Sequence, residues 1–327
     1  MLQIRKVLSK TLLPYEQQVR GLSNGPKKLI SKDGSINWII PYGKSNLECR
    51  YVRRREDYIS TYVSSHNGCK MGCKFCWLTQ QNQTNFNHSS IQDYSHQLST
   101  VLSGVPKITD QITPNKDIRI NVNFMARGEA LANKSVINSY PKLYDQLLQD
   151  VKNHGYNHMK INISTIMPKI IENRKLIDIF QDKPVNIYYS LYSTDDKFKK
   201  HWMPNAIHWK KALDILEKFQ IDSPLNPMIT FHWAFIKDQN DDVGSVQKLA
   251  DEIKSRKFTR TKFNLVRFNP HPDIPNVEPN MAKLQELFNV MQTAMTDATP
   301  YNKSRIITRV GPDVFASCGM FVQDDSL

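Results

Sequence analysis

Seven short apolar runs alternate along the chain with longer segments in which apolar residues recur every three or four positions. The runs are rich in Val, Ile, Phe and Tyr, and most contain few polar breaks, a pattern typical of buried strands. They are Ile59–Val63, Ile118–Met125, Met159–Ile163, Val185–Leu191, Met228–Ile236, Phe263–Phe268 and Ile306–Val310. Near-continuous apolar strands separated by helices indicate a parallel sheet covered by helices.

The segments between these runs predict helices, because their Leu, Ile and Val residues lie three and four positions apart. The predicted helices are Ile91–Leu102, Tyr140–Asn153, Pro168–Phe180, Trp209–Phe219, Val243–Ser255 and Met281–Met295. A strand followed by a helix therefore repeats about six times, which predicts an incomplete (β/α)6 barrel of the α/β class. In such a barrel the reactive groups lie in loops at the C-terminal ends of the strands.

The chain outside this repeat has a different pattern. Residues 1–55 are punctuated by glycine and proline and are predicted to form a short N-terminal accessory element. We expect the barrel to span residues 56–300, with a C-terminal extension over residues 301–327. The stretch 269–279 contains four prolines and predicts a rigid loop.

Composition and charge narrow the class of protein. With 40% hydrophobic residues and five cysteines among 327 residues, the chain fits an intracellular enzyme, expected to be cytoplasmic and monomeric, better than a secreted disulfide-linked protein. No apolar run approaches the ~20 residues of a membrane helix, so no membrane association is expected. The 44 Lys and Arg residues exceed the 31 Asp and Glu residues by 13 charges, which favours a polyanionic partner such as RNA.

Three local clusters of basic residues agree with an RNA partner, although a merely solvated basic surface is the alternative. They are Arg50, Arg53, Arg54 and Arg55; Lys197, Lys199, Lys200 and His201 beside Trp202; and Lys254, Arg256, Lys257, Arg260 and Lys262.

Three cysteines, Cys69, Cys73 and Cys76, follow the first predicted barrel strand on one short loop. Three thiolates can ligate three irons of a [4Fe–4S] cluster, where a closed site needs four. The open iron can then chelate S-adenosylmethionine (SAM) and reduce its sulfonium, which starts radical chemistry. A structural zinc site is the alternative, with His66 as a fourth ligand, but no second pair of thiols follows at zinc-finger spacing.

Further motifs follow the cysteine loop in order. The run Gly128-Glu129-Ala130-Leu131-Ala132-Asn133 ends the second predicted barrel strand. Four shorter motifs lie downstream, in Asn162–Ile166, Ser190–Tyr192, Asn264–Pro270 and Ala316–Gly319. From about Glu48 to Gly319 the chain resembles the RlmN/Cfr family of radical SAM RNA adenosine methyltransferases, and the Gly-Glu-Ala-Leu-Ala-Asn form resembles the Cfr branch.

The resemblance implies a [4Fe–4S] cluster on Cys69, Cys73 and Cys76, a SAM molecule beside it, and an electron donor such as flavodoxin or ferredoxin. Glu129 would neutralise the ammonium group of SAM, and Gly128 would let the backbone approach the ligand closely. The other SAM-binding residues implied by the resemblance are Ser164, Ser190, Leu191, Tyr192 and Asn269.

Cys318 decides the reaction class that the resemblance implies. In the family, the matching cysteine is methylated by one SAM, and a 5′-deoxyadenosyl radical from a second SAM takes a hydrogen atom from the S-methyl group. The resulting carbon radical adds to adenine, whose sp2 ring carbons are not nucleophilic enough for polar transfer. We therefore expect methylation at C2 or C8 of adenosine, in 23S ribosomal RNA and with transfer RNA as a further candidate.

One departure concerns release of the protein–RNA adduct. The family's second cysteine lies seven residues before the first cluster cysteine, where this chain has Tyr62. Glu48 matches the family's proton acceptor, and Cys49 is the remaining thiol. If the strands around residues 48–52 and 58–63 pair as a hairpin, Cys49 approaches Tyr62. This leads to the hypothesis that Cys49 resolves the adduct through a transient disulfide with Cys318; an inert Cys49 is the alternative.

Two other functions remain open from the sequence. Ala126-Arg127, Tyr192 and Met320 each replace residues that are common in the family, which permits a radical SAM enzyme with a different RNA or small-molecule substrate. The chain could also be a non-enzymatic RNA-binding protein with a metal cluster.

Overall fold

The computed structural model describes residues 25–105, 117–298 and 304–323, and these contain one sheet of ten strands. The strands lie in the sheet in the order in which they occur in the chain. The first four pair antiparallel, and β4 to β10 pair parallel. Their bounds are β1 Lys27–Ile30, β2 Ile36–Tyr42, β3 Ser45–Arg55, β4 Tyr58–Tyr62, β5 Arg119–Phe124, β6 His158–Thr165, β7 Asn186–Ser190, β8 Ile229–Trp233, β9 Thr261–Leu265 and β10 Arg305–Ile306.

Helices connect the parallel strands and cover one face of the sheet. The longer ones begin at residues whose side chains cap them, such as Ser90, Asn133 and Asp242. No helix of the described ranges is long and apolar enough to span a bilayer. The helices are α1 Trp77–Gln80, α2 Ile91–Ser103, α3 Lys134–Asn153, α4 Leu176–Phe180, α5 Asp196–Trp202, α6 Trp209–Asp222, α7 Val243–Lys254 and α8 Met281–Ala298.

Side chains of the parallel strands alternate between a buried outer face and a polar interior. In β5, Ile120, Val122 and Phe124 belong to the core under the helices, whereas Asn121 and Asn123 line an internal cavity. A closed barrel of eight strands usually fills this interior with branched apolar side chains. Here the interior is instead a space that a ligand can occupy.

The predicted α/β class with a parallel sheet is confirmed, with two local corrections. The helix expected over Pro168–Phe180 is interrupted: a 3-10 turn covers Lys169–Ile171, and α4 begins only at Leu176. The polar residues 172–175 between them supply no apolar position to continue the buried stripe. The last strand was expected over Ile306–Val310, but β10 ends at Ile306 because the chain then leaves the sheet.

The described part of the N-terminal region is continuous with the barrel sheet. As expected from the sequence, β3 and β4 form an antiparallel pair, with Arg50 opposite Tyr62. Trp38 of β2 and Leu47 of β3 are buried in the same core as Val101 of α2. The division into residues 1–55, 56–300 and 301–327 stays a prediction.

Residues 307–322, which we call the C-terminal strap, link the two edges of the barrel. Near its start, Arg309 donates a hydrogen bond to the backbone oxygen of Phe268 at 2.7 Å, just beyond β9. Further along, the Nδ2 of Asn37 in β2 donates to the backbone oxygen of Val314 at 3.0 Å. The strap therefore crosses the side of the barrel that the sheet leaves open.

Candidate active site

The loop after β4 carries three cysteines to the C-terminal edge of the sheet. Cys69, Cys73 and Cys76 all line one cavity of about 130 Å³. Burial and then the neighbouring thiols Cys69 and Cys76 raise the pKa of Cys73. Burial raises the pKa of Cys76 to about 11. The negative charges of neighbouring thiolates repel one another, and this repulsion is relieved when the thiolates ligate a metal centre.

Backbone contacts hold this loop on three sides. The amide of Cys69 donates to the oxygen of Gln83 at 3.0 Å, and that of Lys74 donates to Trp202 at 3.0 Å. The amide of Trp77 donates to Gly319 of the strap at 3.0 Å. The cysteine loop and the strap that carries Cys318 are therefore joined directly.

The donor set fits a cluster with one iron left for an outside ligand. Within the described ranges, no group of three or more Cys, His, Asp or Glu side chains is arranged for a single metal ion. His66, the candidate fourth zinc ligand, uses Nε2 to contact Nδ1 of His88 at 3.0 Å and stacks on Phe86. Three thiols in one cavity match the requirement of a [4Fe–4S] cluster that also binds SAM.

Glu129 follows the β5 strand and lines the same cavity. Its carboxylate accepts hydrogen bonds from the amides of Leu131 and Ile166, each at 3.1 Å. Burial nevertheless raises the pKa of Glu129 to about 7. Beside it, Gly128 has a φ of +92°, and a Cβ there would lie 2.5 Å from Nδ1 of His66. This pair forms a tight turn with a buried carboxylate that a cationic ligand would stabilise.

Most of the remaining predicted SAM-binding residues lie in this cavity. Ser164 and Ser190 end neighbouring strands with their hydroxyl oxygens 3.5 Å apart, and Tyr192 and Asn269 also line the cavity. Leu191 does not: its side chain is fully buried in the core under the helices. Any contact of Leu191 with SAM would have to use its backbone.

Cys318 is exposed and lines both this cavity and the polar cavity inside the barrel. Its backbone oxygen accepts a hydrogen bond from Nδ2 of Asn269 at 2.9 Å. The surrounding protein raises the pKa of the Cys318 thiol, while Arg50 and the hydroxyl of Tyr192 act in the opposite direction. The structure thus brings Cys318 to the same cavity as the three cysteines of the loop after β4.

Glu48, the predicted proton acceptor, is buried between two guanidinium groups. Its Oε1 accepts from Nε of Arg127 at 2.9 Å and from the amide of Val322 at 3.0 Å. Its Oε2 accepts from Arg50 and Asn37, each at 2.9 Å. Burial would raise the pKa of Glu48, but the two guanidinium groups outweigh it and hold the pKa below its usual value. These contacts make Glu48 an anchor for the strap.

Cys49 lies on the other face of β3 from Glu48 and Arg50. It is 0% exposed in the core and packs on the side of α2. Burial raises the pKa of its thiol. A disulfide needs Cβ atoms about 3.5–4.5 Å apart, and Cys318 lies at the cavity. The hairpin forms as expected, but it turns Cys49 away, which counts against the predicted disulfide.

Several residues of the three basic clusters, which the sequence analysis considered as an RNA-binding surface, are buried or paired with acidic residues. Arg50 is buried and donates to the backbone oxygens of Ala316 and Met320 in the strap. Lys199 is buried near Cys73, and burial lowers its pKa to about 7. Arg256 pairs with acidic residues of α6 and α7. Arg53 and Arg54 have no described side chains. The sequence carries no signal that separates these residues from solvated ones.

Comparison with known proteins gives consistent results. No protein-family model matches the chain. The dual-specificity RNA methyltransferase RlmN of Francisella tularensis subsp. tularensis strain FSC 198 is 27% identical over 302 residues, or 90% of this chain and 74% of that protein. The RlmN of F. tularensis subsp. novicida strain U112 matches to the same extent.

The fold has a counterpart among solved structures. A radical SAM methyltransferase from Sphaerobacter thermophilus superimposes with a TM-score of 0.70 and 18% identity, covering 96% of this chain and 86% of that one. The chain is therefore similar in sequence to the RlmN methyltransferases and similar in fold to a radical SAM methyltransferase.

Proposed function

We propose that this enzyme methylates a ring carbon of adenosine in RNA by way of a methyl group carried on Cys318. The observation that carries the proposal is the position of Cys318 where two cavities meet. One cavity contains the three clustered cysteines and Glu129, and the other is polar and basic. A thiol in this position can receive a methyl group on one side and deliver it on the other.

The residues of the first cavity have distinct tasks. A [4Fe–4S] cluster on Cys69, Cys73 and Cys76, with SAM beside it, would supply the 5′-deoxyadenosyl radical that takes a hydrogen atom from the S-methyl group. Glu129 binds the ammonium group of SAM, because a buried carboxylate gains most from a cationic partner. Ser164, Ser190, Tyr192 and Asn269 line the rest of this cavity.

Cys318 must first act as a nucleophile, which requires the thiolate. Arg50 and Tyr192 favour that thiolate, since both act against the rise in the pKa of Cys318 that the surrounding protein causes. Arg50 also fixes the strap around the thiol through the oxygens of Ala316 and Met320. The same guanidinium therefore supports both the charge and the position of the nucleophile.

The polynucleotide substrate is supported by charge and by the relatives. The chain has a net charge of +13, and its matched relatives are named as RNA methyltransferases. The proposal includes 23S ribosomal RNA as the substrate and transfer RNA as a second one, with C2 and C8 as candidate positions. It also includes a flavodoxin or ferredoxin as electron donor and a monomeric enzyme.

The test is anaerobic turnover with methyl-labelled SAM and RNA, followed by mass spectrometry of both the RNA and the peptide that contains Cys318. We expect label in adenosine and on Cys318, and neither with Cys318→Ala, which should still cleave SAM. Label on Cys318 but in no RNA would favour a different substrate. Absence of label from both would overturn the proposal.

A further inference from the structure

Exposed basic side chains lie beside the cysteine loop on three neighbouring segments of the chain. Two belong to the loop itself, one to the 3-10 turn after β6, and three to α5. The three on α5 are at positions i, i+3 and i+4 and therefore share one face of that helix. We call this set the basic rim, and its members are Lys70, Lys74, Lys169, Lys197, Lys200 and His201.

Contacts between the three segments make the basic rim one continuous surface. The Nζ of Lys74 lies 3.3 Å from Nδ1 of His201. The side chain of Asn205 donates a hydrogen bond to the backbone oxygen of Lys70 at 3.3 Å. The backbone oxygen of Asn205 accepts from the amide of Lys169 at 2.9 Å. The cysteine loop, the 3-10 turn and α5 therefore present their cations together.

The positive charge of the basic rim is available to a partner. Within the described ranges, no salt bridge joins a rim residue to a carboxylate, and the Nζ of Lys169 donates to the backbone oxygen of Pro204 at 2.8 Å. The two acids at the start of α5 have other contacts, since Asp195 caps the helix and Asp196 lies 3.1 Å from His208. A negatively charged protein surface would be attracted to these cations.

A short stretch of packed rings separates the basic rim from the cluster cysteines. The edge of the His201 ring meets the Trp202 ring at a centroid distance of 5.6 Å. The Trp202 ring stacks in turn on Phe75 at 6.5 Å. Phe75 lies in the chain between Cys73 and Cys76. An electron that enters at the basic rim therefore has a short path to the proposed cluster.

The basic rim is separate from the place where the RNA base is proposed to react. Cys318 lies where the cysteine cavity and the polar cavity of the barrel meet. Among the described residues that line these two cavities, none belongs to the basic rim. The proposed reaction needs both an RNA and an electron donor, and a donor at the basic rim would leave the polar cavity open. This separation favours an electron donor over RNA as the partner of the basic rim.

We infer that the basic rim is the docking surface of a small acidic protein that carries a one-electron donor and reduces the cluster through the outer side of the cysteine loop. The inference rests on the proposed function and specifies where its electron enters. The donor loses one electron and the cluster gains it, and no bond forms or breaks at this surface. Redox complexes of this kind have small interfaces and are steered by charge. Ile170, 57% exposed beside Lys169, would supply an apolar contact within the interface.

The test compares two double variants that lose the same charge. Lys197→Gln/Lys200→Gln removes two rim cations that are not next to a cluster cysteine, and Lys142→Gln/Lys152→Gln on the exposed face of α3 is the control. A fully reduced bacterial flavodoxin is mixed anaerobically with each cluster-loaded enzyme, and bleaching of the cluster absorption gives the rate of reduction. We expect the rim variant to be reduced about tenfold more slowly at low salt, and the control to match the unaltered enzyme. Equal rates for the two variants would overturn the inference.

Two further measurements show whether the effect concerns docking. Calorimetric titration with oxidised flavodoxin should show about tenfold weaker binding by the rim variant, and the difference should vanish near 1 M salt, where the screening length is about 3 Å. Dithionite, a small inorganic reductant that needs no docking surface, should reduce all three enzymes at the same rate. A rim variant that is equally slow with dithionite would show that its charges act on the cluster itself, and the inference would be wrong.

RNA is the other polyanion that the basic rim could bind. Affinity for a fluorescent hairpin RNA, followed by anisotropy, should be the same for the rim variant and the control, because both lose two charges. A selective loss of RNA affinity in the rim variant, with normal reduction by flavodoxin, would assign the basic rim to RNA and overturn the inference.

Failure of the proposed function gives a different result. If flavodoxin reduces the unaltered enzyme at a rate that depends on the basic rim, but neither Cys318 nor adenosine receives a methyl group, the proposed function fails and the docking surface stands. If dithionite finds no reducible cluster in the unaltered enzyme, both are wrong.

Discussion

Asn269 Nδ2 donates a hydrogen bond to the backbone oxygen of Cys318 at 2.9 Å, and Oδ1 of the same side chain accepts from Arg309 at 2.8 Å. One side chain in the cysteine cavity therefore contacts the strap at two points. In the proposed function, the position of the Cys318 thiol relative to the residues proposed to bind SAM depends on this contact.

Asn269→Ala should slow methyl transfer to Cys318 without unfolding the protein. Displacement of a reacting group by about 1 Å can cost up to 100-fold in rate, and we expect a loss of about tenfold or more. Single-turnover transfer from labelled SAM measures the effect. Asn153→Ala at the exposed end of α3 is the control. An unchanged rate would show that the contact with Asn269 does not position the thiol.

Glu48→Gln distinguishes an anchor from a proton acceptor. The amide would leave Arg50 and Arg127 buried without their carboxylate, and removing one partner of a buried ion pair costs about 3–5 kcal/mol. Asp57→Asn, which breaks an exposed pair with Arg55, should cost about 0–1 kcal/mol. Denaturant unfolding of the two variants measures both free energies. Loss of RNA methylation with unchanged stability would instead assign Glu48 to proton transfer.

The pKa of Glu48 also predicts how this stabilisation depends on pH. Arg127 and Arg50 lower the pKa of Glu48 from its ordinary value of 4.5, against the effect of burial. The contribution of Glu48 to stability is therefore fully present above pH 4.5. This contribution is lost as the pH falls through the lower pKa that Glu48 has in the folded state. The difference in unfolding free energy between the unaltered protein and Glu48→Gln should therefore shrink on acidification below about pH 4.5.

SAM binding should weaken in mildly acidic solution because of Glu129. Burial raises the pKa of this carboxyl to about 7, and only the ionised form attracts an ammonium group. We expect the affinity for SAM to fall about eightfold from pH 7.5 to pH 6, measured anaerobically by calorimetry. Glu129→Gln should bind more weakly at both pH values and lose the dependence. A flat profile of the unaltered enzyme would contradict this role.

Cys49→Ala should turn over RNA fully, since the Cys49 side chain is on the face of β3 away from Cys318. The substitution should cost about 1–2 kcal/mol or less in stability, because it removes only one small atom from the core. Gel analysis of labelled RNA under denaturing conditions measures the product and any covalent adduct. An adduct trapped by Cys49→Ala would restore the hypothesis that Cys49 resolves it.

The sequence predicts the barrel because apolar residues are spaced differently in buried strands and in amphipathic helices. The motif residues Glu129, Ser164 and Ser190 follow or end strands, so their convergence with Cys69 could be expected from strand order alone. The face on which Cys49 lies could also have been read, since neighbours in a strand point in opposite directions. Because Glu48 and Cys49 are neighbours in β3, their side chains lie on opposite faces, and Cys49 lies on the face that packs in the core.

Other features of the site depend on contacts between distant parts of the chain. The hydrogen bond from Arg127 to the backbone oxygen of Val322 joins residues 195 positions apart, and no local sequence pattern predicts it. Lys199 sits in a basic run, but packing of α5 near the cysteine loop removes it from solvent. Charge counts cannot separate such internal residues from those available to RNA.

The route of the strap has a consequence for the order in which the enzyme matures. Residues 307–322 are synthesised after every strand of the sheet, yet Gly319 contacts Trp77 and covers one side of the cysteine loop. Until that stretch docks, the loop lacks this contact and its thiols are less enclosed. Cys318, which lies in that stretch, therefore joins the cavity only after the strands that form it have been made.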